Sequence, residues 1–279
     1  MITWEIKKIL KSKNGRIALI LFFILCTSMI FMKPQLEVVS HYKNSVDFWK
    51  VFNYRAFHPL MTFIMLIIII NVFSNIYTDE IISTVDNLIL SSRNKNKVLY
   101  SKLALSIGVP TILYAVYLAA QFIITYIQYG KPINGGLQAI KILDNPFLVK
   151  EGYTIYGFIL LKIGIILIIL TTLGVLASLI SFITKNSIQS TSGFLIFIFL
   201  GKVITLIKWL PKTVLLIFSK INYVDLIFNF QEFAGVYSGT LKIFNMSLDI
   251  TNLCMSILIG TLFTGIFLCT ITFKKFITR

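Results

Sequence analysis

Long apolar runs recur along this 279-residue chain, and they constrain its fold more than any other feature. The run "LMTFIMLIIIINVF" at 60–73 contains no charged residue, and a helix of about 20 apolar residues is long enough to cross a bilayer. The whole chain is 57% hydrophobic and 13% charged, whereas soluble domains carry about 25% charged residues. The pattern excludes a water-soluble domain and predicts a polytopic membrane protein.

Six segments are predicted to cross the membrane as helices of one all-α integral membrane domain that covers residues 1–279. The six predicted spans are about 17–32, 60–77, 103–129, 155–183, 188–206 and 253–273.

Two further segments are predicted to lie at the membrane surface. Within residues 1–16, Ile2, Ile6 and Ile9 share one helical face opposite the lysines, which predicts an amphipathic helix lying in the interface. Residues 207–250 contain short apolar pieces broken by proline. We expect them to form a re-entrant outer segment between the fifth and sixth spans.

The basic residues predict the orientation of the chain. The net charge is +15, and Lys and Arg are about twice as dense on the side of the two termini as on the other side. This bias predicts a multi-pass protein with both termini cytoplasmic. The abundance of Ile, Lys and Asn is typical of an AT-rich bacterial genome, so the expected location is the bacterial plasma membrane. Because the bases flank apolar runs and form no platform with aromatic residues, nucleic acid is excluded as a partner and the lipid bilayer is favoured.

The polar segment "TDEIISTVDNLILSSRNKNK" at 78–97 differs from its apolar surroundings. Ile81, Val85 and Leu88 repeat at helical spacing, and the acidic residues at its start suit a helix dipole. The pattern predicts a short amphipathic helix followed by a basic turn. The residues alone leave two interpretations open: an ordinary interfacial connector, or a helix that docks its apolar face onto a cytosolic partner.

This segment and its flanks resemble the permeases of type 2 ATP-binding-cassette exporters. In that family a glutamate ends the second span, and a short coupling helix in the next loop contacts the ATPase subunit. The matching positions here are Glu80, Thr84, Leu88, Leu90, Arg93 and Lys102. This chain departs from the family in a one-residue shift between Glu80 and Thr84 and in lacking a proline before Arg93. The amphipathic start at residues 1–16 resembles the N-terminal elbow helix of the family, and the long segment before the sixth span is also similar to the family.

The resemblance implies a permease subunit that exports an amphipathic or hydrophobic substrate, such as a peptide, an antibiotic or a lipid-like molecule. It implies two protein partners: a cytosolic ATP-binding-cassette ATPase and a second permease chain, identical or different. The residues that would couple ATP hydrolysis to the spans are Glu80, Thr84, Leu88, Leu90 and Arg93.

No residue is predicted to be catalytic. The sequence contains no GxxxxGK[ST] loop, so ATP and Mg²⁺ are expected on the partner subunit and no cofactor is expected in this chain. The two histidines and three cysteines are scattered and match neither a zinc-protease motif nor a set of metal ligands. Two alternatives remain: a secondary transporter or channel, and a membrane immunity protein without an ATPase.

Polar residues form a stripe along the third predicted span. Its members are Tyr114, Tyr117, Gln121, Thr125 and Gln128. Polar groups inside a span face protein or water rather than lipid. The stripe therefore predicts either hydrogen bonds between helices or a wall that faces the substrate.

Small residues repeat every seven positions along the fourth predicted span. They are Gly157, Gly164, Thr171 and Ser178. Small side chains let a second helix approach closely, so this stripe is predicted to be a helix-packing face, within this chain or against a partner.

Two lysines and a group of aromatic residues are assigned to the membrane interface. Lys162 and Lys202 lie near the outer ends of their spans, where snorkelling to the interface is favoured over a cationic lining. The aromatic residues before Pro59 predict an interfacial belt; they are Phe48, Trp49, Phe52, Tyr54 and Phe57.

Overall fold

The fold is built almost entirely from helices. The computed structural model of the protein describes residues 2–34, 46–82, 95–143, 152–207, 209–228, 240–243 and 246–277. The helices are α1 (Ile2–Lys11), α2 (Lys13–Phe31), α3 (Asp47–Ala56), α4 (Pro59–Phe73), α5 (Thr78–Ile82), α6 (Lys95–Tyr129), α7 (Ile155–Ile183), α8 (Ser187–Thr205), α9 (Lys212–Ile221), α10 (Tyr223–Phe228) and α11 (Ile250–Ile277). A short 3₁₀ helix covers Ala139–Ile142.

Six helices of the described chain are long and apolar enough to cross a membrane, as the sequence predicts. They are α2, the stretch Asp47–Glu80 that contains α3 to α5, α6, α7, α8 and α11. The second of these begins earlier than the predicted span 60–77, because the aromatic helix α3 continues into α4. These helices are those of a multi-pass membrane protein.

The segment before α11 contains two short helices and a β-hairpin. α9 and α10 correspond to the two apolar pieces within 207–250 and pack against α8. Two short antiparallel strands, β1 (Thr240–Ile243) and β2 (Met246–Asp249), pair next, with Leu241 opposite Leu248. This hairpin is an addition to the predicted all-α fold. The re-entrant course of the segment stays a prediction.

Helix α7 forms the centre of the bundle and contacts α4, α6, α8 and α11. It approaches α6 closely at Gly174, where a Cβ atom would lie 2.2 Å from the carbonyl oxygen of Ser106. A second close approach brings Gly265 of α11 against Val175. Only glycine leaves room for backbones at this distance.

The small-residue stripe of α7 divides into two halves. Thr171 and Ser178 are buried, and Ser178 bonds to the carbonyl oxygen of Gly174. Nothing in the described chain lies within 4 Å of a Cβ built at Gly164, and at Gly157 such a Cβ meets only the Thr154 side chain. The packing role predicted for Gly157 and Gly164 therefore has no partner helix among the described residues.

The aromatic helix α3 packs inside the protein. The rings of Phe48, Trp49, Phe52 and Phe57 are buried, and Trp49 Nε1 donates a hydrogen bond of 2.9 Å to the carbonyl oxygen of Ile133. For these four rings the expected interfacial belt is wrong. Aromatic side chains suit both a core and an interface, and the sequence alone does not distinguish them.

Candidate functional site

The predicted coupling residues lie within the polar segment at 78–97, and Lys102 follows it. Glu80 is in α5, and Lys102 is in the first turns of α6. Thr84, Leu88, Leu90 and Arg93 lie outside the described residues.

Glu80 and Lys102 form a buried ion pair. The Lys102 Nζ atom lies 2.8 Å from Glu80 Oε1 and also donates to the carbonyl oxygen of Ile76 at 2.9 Å. The side chains are only 1% and 0% exposed, respectively. The pair therefore joins the end of the second membrane helix to the start of the third, on either side of residues 83–94.

Two residues of the N-terminal helix complete this site. Lys8 Nζ donates to the same Oε1 atom of Glu80 at 2.8 Å, and Glu5 Oε2 lies 3.9 Å from Lys102 Nζ. We call Glu5, Lys8, Glu80 and Lys102 the ion cluster. Glu5, Glu80 and Lys102 are buried and Lys8 is 39% exposed, and the pairing of opposite charges offsets part of the large cost of burying them.

A sharp turn between α1 and α2 brings Glu5 and Lys8 to this position. Ser12 interrupts the helix, and its Oγ atom caps α2 by accepting a hydrogen bond of 2.9 Å from the Gly15 amide. A Cβ atom at Gly15 would lie 1.9 Å from the carbonyl oxygen of Ile9. Only glycine fits there, so Gly15 allows α1 to fold back onto α6.

The turn at 74–77, between α4 and α5, is held by side chains from two other membrane helices. Ser181 Oγ of α7 accepts hydrogen bonds from the Tyr77 and Thr78 amides at 2.9 and 3.2 Å. From α8, Ser190 donates to the Ser74 carbonyl oxygen, and Ser187 Oγ bonds to Asn75 Oδ1 at 2.8 Å.

These side chains satisfy backbone groups that the broken helix leaves open, as a low-dielectric interior requires. The base of residues 83–94 is therefore fixed to α1, α6, α7 and α8 at once. The sequence analysis does not identify these serines, since serine also occurs at ordinary packing positions.

A second polar site lies near the other end of α6 and centres on Arg55. We call Arg55 and its acceptors the guanidinium site. Arg55 is fully buried and donates to the carbonyl oxygens of Ile30 and Met32 at 2.8 and 3.1 Å. It also donates to Gln128 Oε1 at 2.7 Å and to Thr125 Oγ1 at 3.3 Å. The carbonyl groups are at the carboxyl end of α2, where the helix dipole favours a cation.

Four residues of the polar stripe of α6 are buried near this site: Tyr114, Tyr117, Gln121 and Thr125. Tyr117 donates its hydroxyl to the Arg55 carbonyl oxygen at 2.6 Å, and Gln121 Nε2 donates to the Cys26 carbonyl oxygen at 3.3 Å. These are hydrogen bonds between helices, one of the two roles predicted for the stripe. The Tyr114 hydroxyl and Gln121 Oε1 have no hydrogen-bond partner among the described residues. The substrate-facing role of Tyr114, Tyr117, Gln121 and Thr125 stays a prediction.

Lys162 is fully buried beside α3 and does not reach the interface. Its Nζ atom donates to Asn53 Oδ1 at 2.9 Å and lies 4.2 Å from the ring centroid of Phe57. The expected snorkelling is wrong for Lys162, because α3 covers the side chain and supplies both an amide acceptor and a ring face. Lys202 is partly exposed and pairs with Asp225 at 2.8 Å.

No protein-family model matches the sequence, and no curated protein matches it either. In the part of the chain that the structure describes, no three His, Cys, Asp or Glu side chains are grouped to hold a metal ion.

Proposed function

We propose that this chain is the membrane permease subunit of an ATP-driven exporter of amphipathic or hydrophobic substrates. ATP is hydrolysed on a separate cytosolic subunit, and the chain works in the bacterial plasma membrane with both termini cytoplasmic. The observation that carries the proposal is the ion cluster, which ties both flanks of residues 83–94 to α1.

The ion cluster gives a docked partner a mechanical connection to the spans. Removing one member of a buried ion pair costs about 3–5 kcal/mol, because the other charge is left uncompensated. A displacement of residues 83–94 therefore moves α5, the start of α6 and α1 together rather than separating them. The serine bonds at 74–77 extend the connection to α7 and α8. A loop without these ties would absorb the displacement locally.

The surface of the bundle suits the partners that the proposal requires. Only 17% of the apolar window of α8 is buried, and its exposed side chains include Ile196 and Phe199. Such a face contacts lipid or a second permease chain.

Docking is tested by co-purification. The tagged chain is expressed with the proteins of its neighbouring reading frames, and the membrane extract is probed for a bound cytosolic ATPase. We expect Arg93→Ala, which changes the proposed docking segment, to reduce the bound ATPase several-fold. The matched control Lys97→Ala removes an exposed base in α6 and is expected to have little effect. If no ATPase is recovered with the unaltered chain, the proposal is wrong.

Coupling is tested in liposomes that contain the chain and its ATPase. We expect Glu80→Gln to reduce the stimulation of ATP hydrolysis more than it reduces ATPase binding, because the segment is then no longer tied to α6. The control Lys202→Met breaks a distant ion pair and leaves stimulation unchanged. Equal stimulation by both variants would show that the ion cluster only stabilises the fold.

A further inference from the structure

An apolar crevice lies between the turn of α1 and α2 on one side and helices α4 and α6 on the other. Its cavity volume is about 90 Å³, and the crevice is open on one side. Its walls include Leu10, Ala18, Ile68, Val109 and Leu113. All the lining residues except Gly15 have apolar side chains, so the crevice suits a hydrocarbon chain.

A second, polar pocket lies next to the crevice and beside the ion cluster, and we call it the mouth. Ile9 and Val72 line both regions, so the two are adjacent. The mouth adds Lys8, Asn14 and Asp79, together with further polar groups. The apolar part of an amphipathic ligand would thus lie in the crevice, and its polar part would lie in the mouth.

Two amide side chains at the mouth are available to a ligand. Asn14 and Asn71 both line the mouth and are half-buried. Neither amide makes a hydrogen bond within the part of the chain that the structure describes. Asn71 is also the only polar side chain between Phe63 and Phe73, in the apolar run of α4. A half-buried amide in an apolar run costs free energy unless it has a partner.

We propose that this crevice binds a phospholipid of the leaflet next to the N-terminus, with one acyl chain in the crevice and the phosphate at the mouth. Asn14 and Asn71 donate their amide N–H groups to phosphate or ester oxygens. Lys8 has three donors and uses one on Glu80, so its ammonium group can also bond to the phosphate. The inference does not depend on the proposed transport function.

The two helices that line one side of the mouth, α1 and α2, carry more bases than acids, which favours a phosphate-bearing ligand. The mouth itself is lined by two carboxylates, Glu5 and Asp79, and one base, Lys8. The exposed bases of the same two helices outnumber these acids; they are Lys7, Lys11, Lys13 and Arg16. Trp4 is 61% exposed on α1, as expected of a residue that anchors a helix in the headgroup region.

Native mass spectrometry of the purified full chain tests the proposal. The protein is taken up in detergent with phosphatidylglycerol, phosphatidylethanolamine or diacylglycerol, and retained lipid is counted after progressive delipidation. We expect one phospholipid to stay bound after annular lipid is lost, and diacylglycerol, which lacks the phosphate, to be lost with the annulus.

Two variants locate the bound lipid. Asn71→Leu removes an amide donor, and we expect about fivefold weaker retention, the effect of one lost hydrogen bond. Leu19→Trp places a larger side chain in the crevice wall, and we expect retention to be lost. The matched controls Asn252→Leu and Ile123→Trp change exposed positions outside the crevice and should retain lipid as the unaltered chain does.

The outcomes separate a built site from ordinary annular lipid. Loss of the retained phospholipid in both crevice variants, with normal melting temperatures, supports the proposal. Equal retention of diacylglycerol, or equal retention by crevice and control variants, would overturn it. If Leu19→Trp fails to fold, Asn71→Leu alone decides, because the change is nearly isosteric.

Discussion

The ion cluster and the guanidinium site hold buried charge in two different ways. In the ion cluster, Glu80 and Lys102 neutralise each other directly at 2.8 Å. In the guanidinium site, the Arg55 side chain is surrounded by neutral acceptors: two carbonyl oxygens at the end of α2, an amide and a hydroxyl. The sites lie about 40 Å apart along α6 by its helical rise. We expect that the two members of an ion pair can both be replaced by apolar residues with little further loss of stability. The neutral acceptors around Arg55, in contrast, need all the donors of the guanidinium group for their hydrogen bonds.

The largest expected effect is at the guanidinium site. Arg55→Met removes the four hydrogen bonds of a buried guanidinium group, and we expect a loss of about 3–5 kcal/mol in the free energy of unfolding. Thermal unfolding in detergent measures the effect. Arg55→Lys is the matched control, since it keeps the charge but has three donors instead of five. Its melting temperature should fall between those of Arg55→Met and the unaltered chain. A melting temperature of Arg55→Met equal to that of the unaltered chain would contradict the comparison.

The next effect tests joint replacement in the ion cluster. Lys102→Met alone leaves Lys8 as the only base of the ion cluster beside the carboxylates of Glu5 and Glu80. We expect a loss of about 3 kcal/mol in the free energy of unfolding. The double change Glu80→Leu with Lys102→Met should be less destabilising than the sum of the two single changes by about 1–3 kcal/mol. Chemical unfolding of all four proteins in detergent gives this coupling. Strict additivity would show that the two side chains do not interact.

A smaller effect concerns α7, which packs against α6. Gly174→Ala places a methyl group 2.2 Å from the Ser106 carbonyl oxygen, so the backbones must separate, at a cost of about 1–3 kcal/mol. Gly164→Ala is the matched control in the same helix. There the methyl group has open space, and the gain in helix propensity is worth up to about 1 kcal/mol. Thermal unfolding should therefore shift in opposite directions for the two variants.

The smallest effect is at a partly exposed ion pair. The Lys202 and Asp225 side chains are 44% and 19% exposed, so solvent screens their attraction. We expect Lys202→Met to change the free energy of unfolding by at most about 1 kcal/mol. The same unfolding assay compares it directly with Lys102→Met. A loss as large as that of Lys102→Met would mean that burial does not determine how much an ion pair contributes to the free energy of unfolding.

Part of the candidate site could be predicted from the sequence. Glu80 and Lys102 stand out because they are charged residues at the ends of apolar spans. Glu5 and Lys8 look like ordinary residues of an amphipathic helix, and only the turn at Gly15 brings them to Glu80. Arg55 resembles an interfacial base in an aromatic segment. Its acceptor Gln128 is 73 positions away, beyond the range of any local pattern.

The sequence by itself determined the membrane spans, because transfer of a helix into lipid depends on the apolar content of that segment alone. It also determined the amphipathic start of the chain and the polar character of residues 78–97. The tertiary structure decided which charges meet, which aromatic rings are covered and where helices touch. Those outcomes depend on side chains far apart in the chain that pack at the same depth. The place of Lys162 shows the difference: its position near a span end favours the interface, but α3 covers it and makes it part of the core.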